Sequence, residues 1–366
     1  RIWNDPTNDD GDTYGGGASD VANELKIAKE AKKYGMKVLL DFHYSDFWAD
    51  PTYQILPKAW KSDSQSELNE DVYSFTKTTV QRFKQAGVDV GMVQIGNEIT
   101  KGMMGVKSND YRAVWGDPVK SKKLTTFLSY ASKGVRESAP NALVAVHIET
   151  PDPEKYGFIM DTLQKNGVDY DVLGSSYYPF YSRTANTPQM LAKVEALAAN
   201  YGKYFAVMET SWVNTLQDAD GTPNSIGDGR NVSAYDVSPQ GQTNELTDLY
   251  KALGSQPNGL GAFYWEPAWI PVKAGWKNWE YNKQVADQFG TGWASKGAVG
   301  YYPNNKMYYN GKPAWGGSSW DNHGLFDDLG QPLQSLLTYK NMIGNGDVQT
   351  TRLRFVDENG KQLQND

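Results

Sequence analysis

Short apolar runs that end in polar or acidic residues alternate along this chain with longer amphipathic stretches, and that alternation constrains the fold more than any other feature. Runs of this length read as parallel strands buried on both faces, and the stretches between them as helices that cover the sheet. Seven strands are predicted, near Ile2 to Asn4, Met36 to Tyr44, Val90 to Asn97, Ala142 to Ile148, Val172 to Tyr178, Tyr204 to Glu209 and Gly259 to Glu266. Between them, Ala18 to Tyr34 places Val21, Leu25, Ala28 and Ala31 on one helical face, and Ser66 to Ala86 does the same with Val72, Phe75, Thr79 and Phe83. Gly35 and Gly87 follow these helices, where a left-handed cap is expected. Further helices are predicted at Ser121 to Ser138, Tyr156 to Asn166, Thr187 to Tyr201, Gln240 to Leu253 and Pro332 to Met342.

The fold class is therefore α/β, a (β/α)8 TIM barrel, and 366 residues suit one such catalytic domain. A closed barrel needs an eighth strand; the first βα unit, about 50 residues, is expected ahead of Arg1. Residues 1–344 are assigned to the barrel. In 345–366 the alternation from Thr351 to Val356 and the turn Asn359-Gly360 predict a linker and the start of an appended β module.

Composition narrows the chemistry. With 36 Lys+Arg against 43 Asp+Glu, the net charge of -7 gives no reason to expect nucleic acid as partner. There is no cysteine, and the histidines are His43, His147 and His323, which removes thiolate chemistry and leaves little for serine or zinc hydrolysis. No apolar run is long enough to span a membrane. The 12 Trp and 23 Tyr exceed what a core needs and suit stacking on sugar rings.

Three strands end in carboxylates at what would be one barrel mouth: Glu98 after Gln-Ile-Gly-Asn, Glu209 after Phe-Ala-Val-Met, and Glu266 after Phe-Tyr-Trp. Cleaving a glycosidic bond takes two carboxyl groups, one protonated toward the leaving oxygen and one ionised. Glu98 is the candidate acid/base, with Asn97 beside it to hold a sugar hydroxyl. Glu209 is the candidate nucleophile, kept ionised by a tyrosine of Ser175-Ser-Tyr-Tyr, either Tyr177 or Tyr178. Glu266, followed by Pro-Ala-Trp-Ile-Pro, is expected to shape the site. Asp41-Phe-His-Tyr-Ser-Asp-Phe-Trp brings His43, Asp46 and Trp48 to the same mouth, with His43 and Asp41 on one strand face, and His147 ends another strand. Trp265, Trp269 and Trp320 complete the candidate substrate contacts. In the loop Asp218-Ala-Asp-Gly-Thr-Pro-Asn, oxygen-bearing side chains alternate at 218, 220, 222 and 224, as around a hard cation, although the spacing is not that of an EF-hand.

Taken together, Arg-Ile-Trp-Asn-Asp-Pro, Tyr-Gly-Gly-Gly, Asp-Phe-His-Tyr-Ser-Asp-Phe-Trp-Ala-Asp-Pro, Gln-Ile-Gly-Asn-Glu, Ser-Ser-Tyr-Tyr-Pro-Phe, Glu-Thr-Ser and Phe-Tyr-Trp-Glu-Pro-Ala-Trp-Ile-Pro resemble family 53 glycoside hydrolases, in order from Arg1 to about Met342. The resemblance implies an endo-acting, retaining β-1,4-galactanase, working on galactan or type I arabinogalactan of pectin side chains. It implies Glu98 on barrel strand four as acid/base and Glu209 on strand seven as nucleophile. It also implies a structural Ca2+ held by Asp218, Asp220, Asn224, Ser318 and Asp321, with Thr222 standing where bacterial members have histidine and serving through its carbonyl. A secreted or surface-attached monomer fits a polymer substrate. Two other readings keep part of this: a barrel hydrolase of mannan, xylan or cellulose, and a carbohydrate-binding barrel without catalysis, which would require Glu98 or Glu209 to be replaced. Retention predicts carboxyl groups about 5 to 5.5 Å apart.

Overall fold

The computed structural model describes residues 1–7, 19–181, 184–229, 232–271, 274–289, 308–309, 312–313 and 317–342. The expected hairpin in 345–366 and the Tyr-Gly-Gly-Gly motif lie outside these residues. Six parallel strands form one curled sheet in sequence order: β1 (Val38–Phe42), β2 (Val90–Ile95), β3 (Leu143–Glu149), β4 (Val172–Tyr177), β5 (Tyr204–Thr210) and β6 (Gly259–Tyr264). The seventh predicted strand is present as single bridges, Ile2 to Phe42 and Trp3 to Asp20, so it flanks β1.

Helices follow the strands: α1 (Val21–Lys33), α2 (Gln65–Gln85), α3 (Pro118–Ser138), α4 (Pro153–Lys165), α5 (Pro188–Asn200), α6 (Pro239–Leu253) and α7 (Trp279–Phe289). Four of them begin at a proline preceded by a capping side chain, namely Asp117, Asp152, Thr187 and Ser238, each of which accepts from the first turn. Proline is pre-shaped for that position and lacks the amide hydrogen that would otherwise go unsatisfied. Read by periodicity alone, α3 and α4 start three residues late; the Asp-Pro pairs mark their true beginnings. Periodicity also misses α7 and places a single helix where a 3-10 turn, Gln334–Leu337, leads into Thr338–Met342. Gly35 and Gly87 adopt φ of 69° and 75°, the left-handed closures expected.

The main core fills the space between sheet and helices. Val72, Val80 and Phe83 of α2 and Leu124, Phe127 and Leu128 of α3 are all buried, each such side chain contributing about 1.5–3 kcal/mol. A second aromatic cluster, Tyr178, Phe180, Trp212 and Trp265 among it, packs above the C-terminal strand ends. That layer walls the site.

Candidate active site

Non-glycine residues with left-handed backbone gather where strands end: Tyr44, Glu98, Thr150 and Glu266 have φ of 48°, 47°, 58° and 46°. Such conformations cost about 1–3 kcal/mol each and persist where surrounding bonds enforce them. At Glu98 those bonds are visible. Gln54 Nε2 donates to the Asn97 carbonyl at 2.8 Å, Asn97 Nδ2 to the Ala49 carbonyl at 2.7 Å, and the Glu98 amide to His147 Nδ1 at 3.3 Å. Gln94 Nε2 also reaches His147 Nδ1, at 3.1 Å. Asn97 Oδ1 also lies 3.1 Å from Nδ1, Nε2 meets Ser176 Oγ at 2.9 Å, and Ser176 donates to Glu98 Oε1 at 2.6 Å. Burial holds His147 neutral, its pKa pushed down to about 3.

Glu209 is aimed by an irregularity. Ser175 pairs with Val207 but Ser176 pairs with Glu209, so Met208 is an extra residue on β5 that turns the next side chain toward the mouth. Tyr178 donates to Glu209 Oε2 at 2.9 Å. Arg1 lies 3.5 Å from Glu209 Oε1 and 3.5 Å from Glu266 Oε1, with its guanidinium 3.8 Å from the centre of the Trp265 ring. Burial raises both glutamates. Glu98 is driven well above the carboxylate range by burial and then by the charge of Glu209, whereas Arg1 and Tyr178 oppose the rise at Glu209. Glu209 is the one that ionises first, and Glu98 keeps the proton.

The two face one cavity of about 460 Å³. Of the residues expected at the substrate, Trp48, Asn97, Glu98, Tyr178, Glu209, Trp265 and Trp320 line it. Trp265 stands 5.4 Å from Trp48 and 6.4 Å from Trp320, an aromatic wall. Others expected to touch substrate lie behind the lining. Asp46 is buried and accepts from the amides of Asp5 and Lys58, pinning two loops. His43 Nε2 lies 3.3 Å from Asp41 Oδ2, and its Nδ1 accepts from the Ala49 amide. His147 acts from below, as described. Tyr177 is fully buried and faces the helix layer, because the strand alternates and Tyr178 takes the mouth. Glu266 meets Arg1 without lining the cavity, and Trp269 is half-buried outside it. Asn97 lines the cavity, but its Nδ2 bonds Ala49 and its Oδ1 accepts from Gln94 at 3.1 Å.

Sequence reasoning passed over Arg1, Ser176, Asp50, Glu149 and Tyr181. Glu149 lines the cavity as the last residue of β3, and Asp50 and Tyr181 line it from the loops after β1 and β4, where periodicity is silent. Arg1 had one available signal: a mouth ringed by Asp41, Glu209 and Glu266 calls for a cation.

Two loops meet beside the site. Asp220 accepts from the amides of Thr222 at 2.9 Å and Ser318 at 2.7 Å, which joins the loop after β5 to the one after β6. Thr222 Oγ1, Asn224 Oδ1 and Asp321 Oδ1 are buried without hydrogen-bond partners. Burial and the charges of Asp220 and Asp218 push Asp321 up to about 8. Among the described residues no three acidic or histidine side chains converge as a metal cluster. The donor set here is of another kind, hydroxyl and amide oxygens added to carboxylates, and the unpartnered oxygens fit a hard cation.

Two carboxyl groups of unequal proton affinity, Glu209 buried and Glu98 half-buried, at the C-terminal mouth of a parallel curled sheet and under an aromatic wall, define the class as a barrel glycoside hydrolase. The chain belongs to glycosyl hydrolase family 53, whose family model matches residues 1–339. It is 42% identical over 342 residues to the endo-beta-1,4-galactanase of Bacillus subtilis (strain 168), covering 93% of this chain and 75% of that protein. It is 31% identical to the arabinogalactan endo-beta-1,4-galactanase of Thermothelomyces thermophilus, over 74% of this chain and 77% of the other. The solved GH53 catalytic domain of Ignisphaera aggregans superposes with a TM-score of 0.75 at 32% identity, over 93% of this chain and 83% of that one. A xylanase A from P. fluorescens subsp. cellulosa, 18% identical with a TM-score of 0.50 over 90% and 85% of the two chains, shares the fold.

Proposed function

We propose that the protein is an endo-acting, retaining β-1,4-galactanase, in which Glu209 attacks the anomeric carbon and Glu98 protonates the departing galactosyl oxygen. Water, deprotonated by Glu98, then opens the covalent glycosyl-enzyme and restores Glu209. The observation that carries this reading is the unequal support of the two glutamates: Tyr178 and Arg1 hold charge on Glu209, while Ser176 orients a Glu98 that burial keeps protonated. The names of the similar proteins support galactan as the substrate, and the aromatic wall suits a sugar chain. Reducing-sugar release from linear β-1,4-galactan, mannan, xylan and cellulose by the full-length protein tests it. Release from galactan alone is expected; release from another polymer and not from galactan would reassign the substrate.

Asp218, Asp220, Asn224, Ser318 and Asp321, with the carbonyl or hydroxyl of Thr222, would hold Ca2+, which would pin the two loops rather than polarise the reacting bond. One further βα unit completing a closed barrel between Ile2–Trp3 and β6 belongs to this reading, and the exposure of Leu260 and Phe263 on β6 supports it. A catalytic domain over 1–344 and an appended module from 345 remain part of this reading, as do secretion and a monomeric state, supported by a polymer substrate. No helix among the described residues is long and apolar enough to cross a membrane.

A further inference from the structure

Behind the strand ends that carry Glu209 and Tyr178 lies a second carboxyl group, which the reaction does not touch. Glu245, on α6, is fully buried and accepts from Thr210 Oγ1 at 2.8 Å. Thr210 follows Glu209 on β5 and, by strand alternation, faces the helix layer while Glu209 faces the mouth. On β4 the same alternation sends Tyr178 to Glu209 and its neighbour Tyr177 toward α6. The Tyr177 hydroxyl is buried beside that of Tyr235 and in the field of Glu245, and Glu245 Oε2 lacks a hydrogen-bond partner.

We propose that Glu245 is a positioning residue: it ties Thr210 to α6 and so sets the separation of Glu209 and Tyr178. The proposal rests on the reading of Glu209 as nucleophile. Its chemistry is complementary. Glu245 Oε1 takes the Thr210 hydroxyl, the one hydrogen bond that joins α6 to the residue after Glu209 among the described contacts of Glu245. The groups that act on Glu245 from packed elements are Thr210 on β5 and Asp248 on α6 itself. Around it stand the phenols Tyr177, Tyr235, Tyr250, Tyr264 and Tyr339, each of which feels its charge. None of these compensates a carboxylate, and burial pushes Glu245 up to about 8, so at neutral pH it stays protonated.

The test compares Glu245→Gln, Glu245→Leu and Thr210→Val in the full-length protein, with kcat, KM and the pH profile on galactan measured well below each Tm. Glu245→Leu is expected to lower kcat about tenfold with KM within about twofold. Its acid limb of kcat/KM should move up by about half a pH unit, as the Tyr178 bond that favours ionised Glu209 loosens. Glu245→Gln, which keeps an acceptor and a donor, should restore both values. Should Glu245→Leu fail to fold, Thr210→Val removes the same tie at nearly constant volume and should move the acid limb the same way. A lowered Tm with wild-type kcat and an unmoved acid limb in all of these would overturn the proposal, leaving Glu245 a packing residue. Glu209→Ala, run alongside, separates the two readings: turnover retained there sinks the nucleophile assignment, whereas turnover lost there with unmoved limbs elsewhere sinks only the positioning role.

Discussion

Glu98 and Glu209 differ in what surrounds their oxygens, and the differences translate into rates. Glu209 must be ionised and Glu98 protonated, so activity falls as pH drops through the Glu209 pKa and again as pH rises through that of Glu98. Tyr178 favours the charged form of Glu209; Tyr178→Phe should raise the acid limb of kcat/KM by about one pH unit, a hydrogen bond to a charged group being about 1.5 kcal/mol or more. An unmoved limb would mean the contact does not set the nucleophile's ionisation. Glu98→Gln should lower kcat on galactan by about 10²–10⁴-fold while a substrate with a good aryl leaving group is spared in its first step; equal losses on both would remove Glu98 from the acid role. At this scale the sequence was informative where a residue ends a strand, as Glu98 and Glu209 do. It was silent on which neighbour of a pair faces the mouth: Tyr177 and Tyr178 are alike in type, and their roles part only through a one-residue alternation that the slip at Met208 helps define.

Elements hold these residues in place, and two of them can be tested by their stability. The loops after β5 and β6 bring buried carboxylates together at Asp220 and Asp321. A bound Ca2+ at a hundred times its Kd adds about 2.7 kcal/mol to stability, so calorimetry should show Tm falling on chelation and returning with Ca2+ in preference to Mg2+; an unchanged Tm would argue against the site. Helix α6 carries Glu245, whose folded pKa, about 8, exceeds its ordinary value of 4.5. A raised carboxyl pKa gives stability that is complete below the ordinary value and lost as pH rises toward the folded one. The Tm of Glu245→Gln relative to wild type should therefore climb between about pH 4.5 and pH 8, and a constant difference would mean Glu245 is not held protonated. The α-helices with regular apolar faces were legible from their periodicity. α7 was not: it is short, opens on Trp279 and lies against the loop that carries Asp218 and Asp220, where a Cβ on Gly221 would come within 2.6 Å of the Trp279 carbonyl oxygen.

Across the whole molecule, parallel strands in sequence order collect the chemistry at one end of the sheet, which is why carboxylates separated by 111 positions (209 minus 98) share one cavity. That convergence is legible in the sequence, since strand-end acids in βα repeats have one place to go. The layer behind the lining was not readable: Ser176 and Glu245 are placed by burial and angles that the strand pattern does not encode. The claim on which everything else depends is the covalent role of Glu209. A 2-fluoro β-1,4-galactobiosyl donor with an activated leaving group should trap the glycosyl-enzyme, and peptide mass spectrometry should find the added galactobiosyl mass on Glu209 in the wild type and on no peptide of Glu209→Ala. Label on another residue, or no label together with hydrolysis that inverts the anomeric centre, would contradict the account.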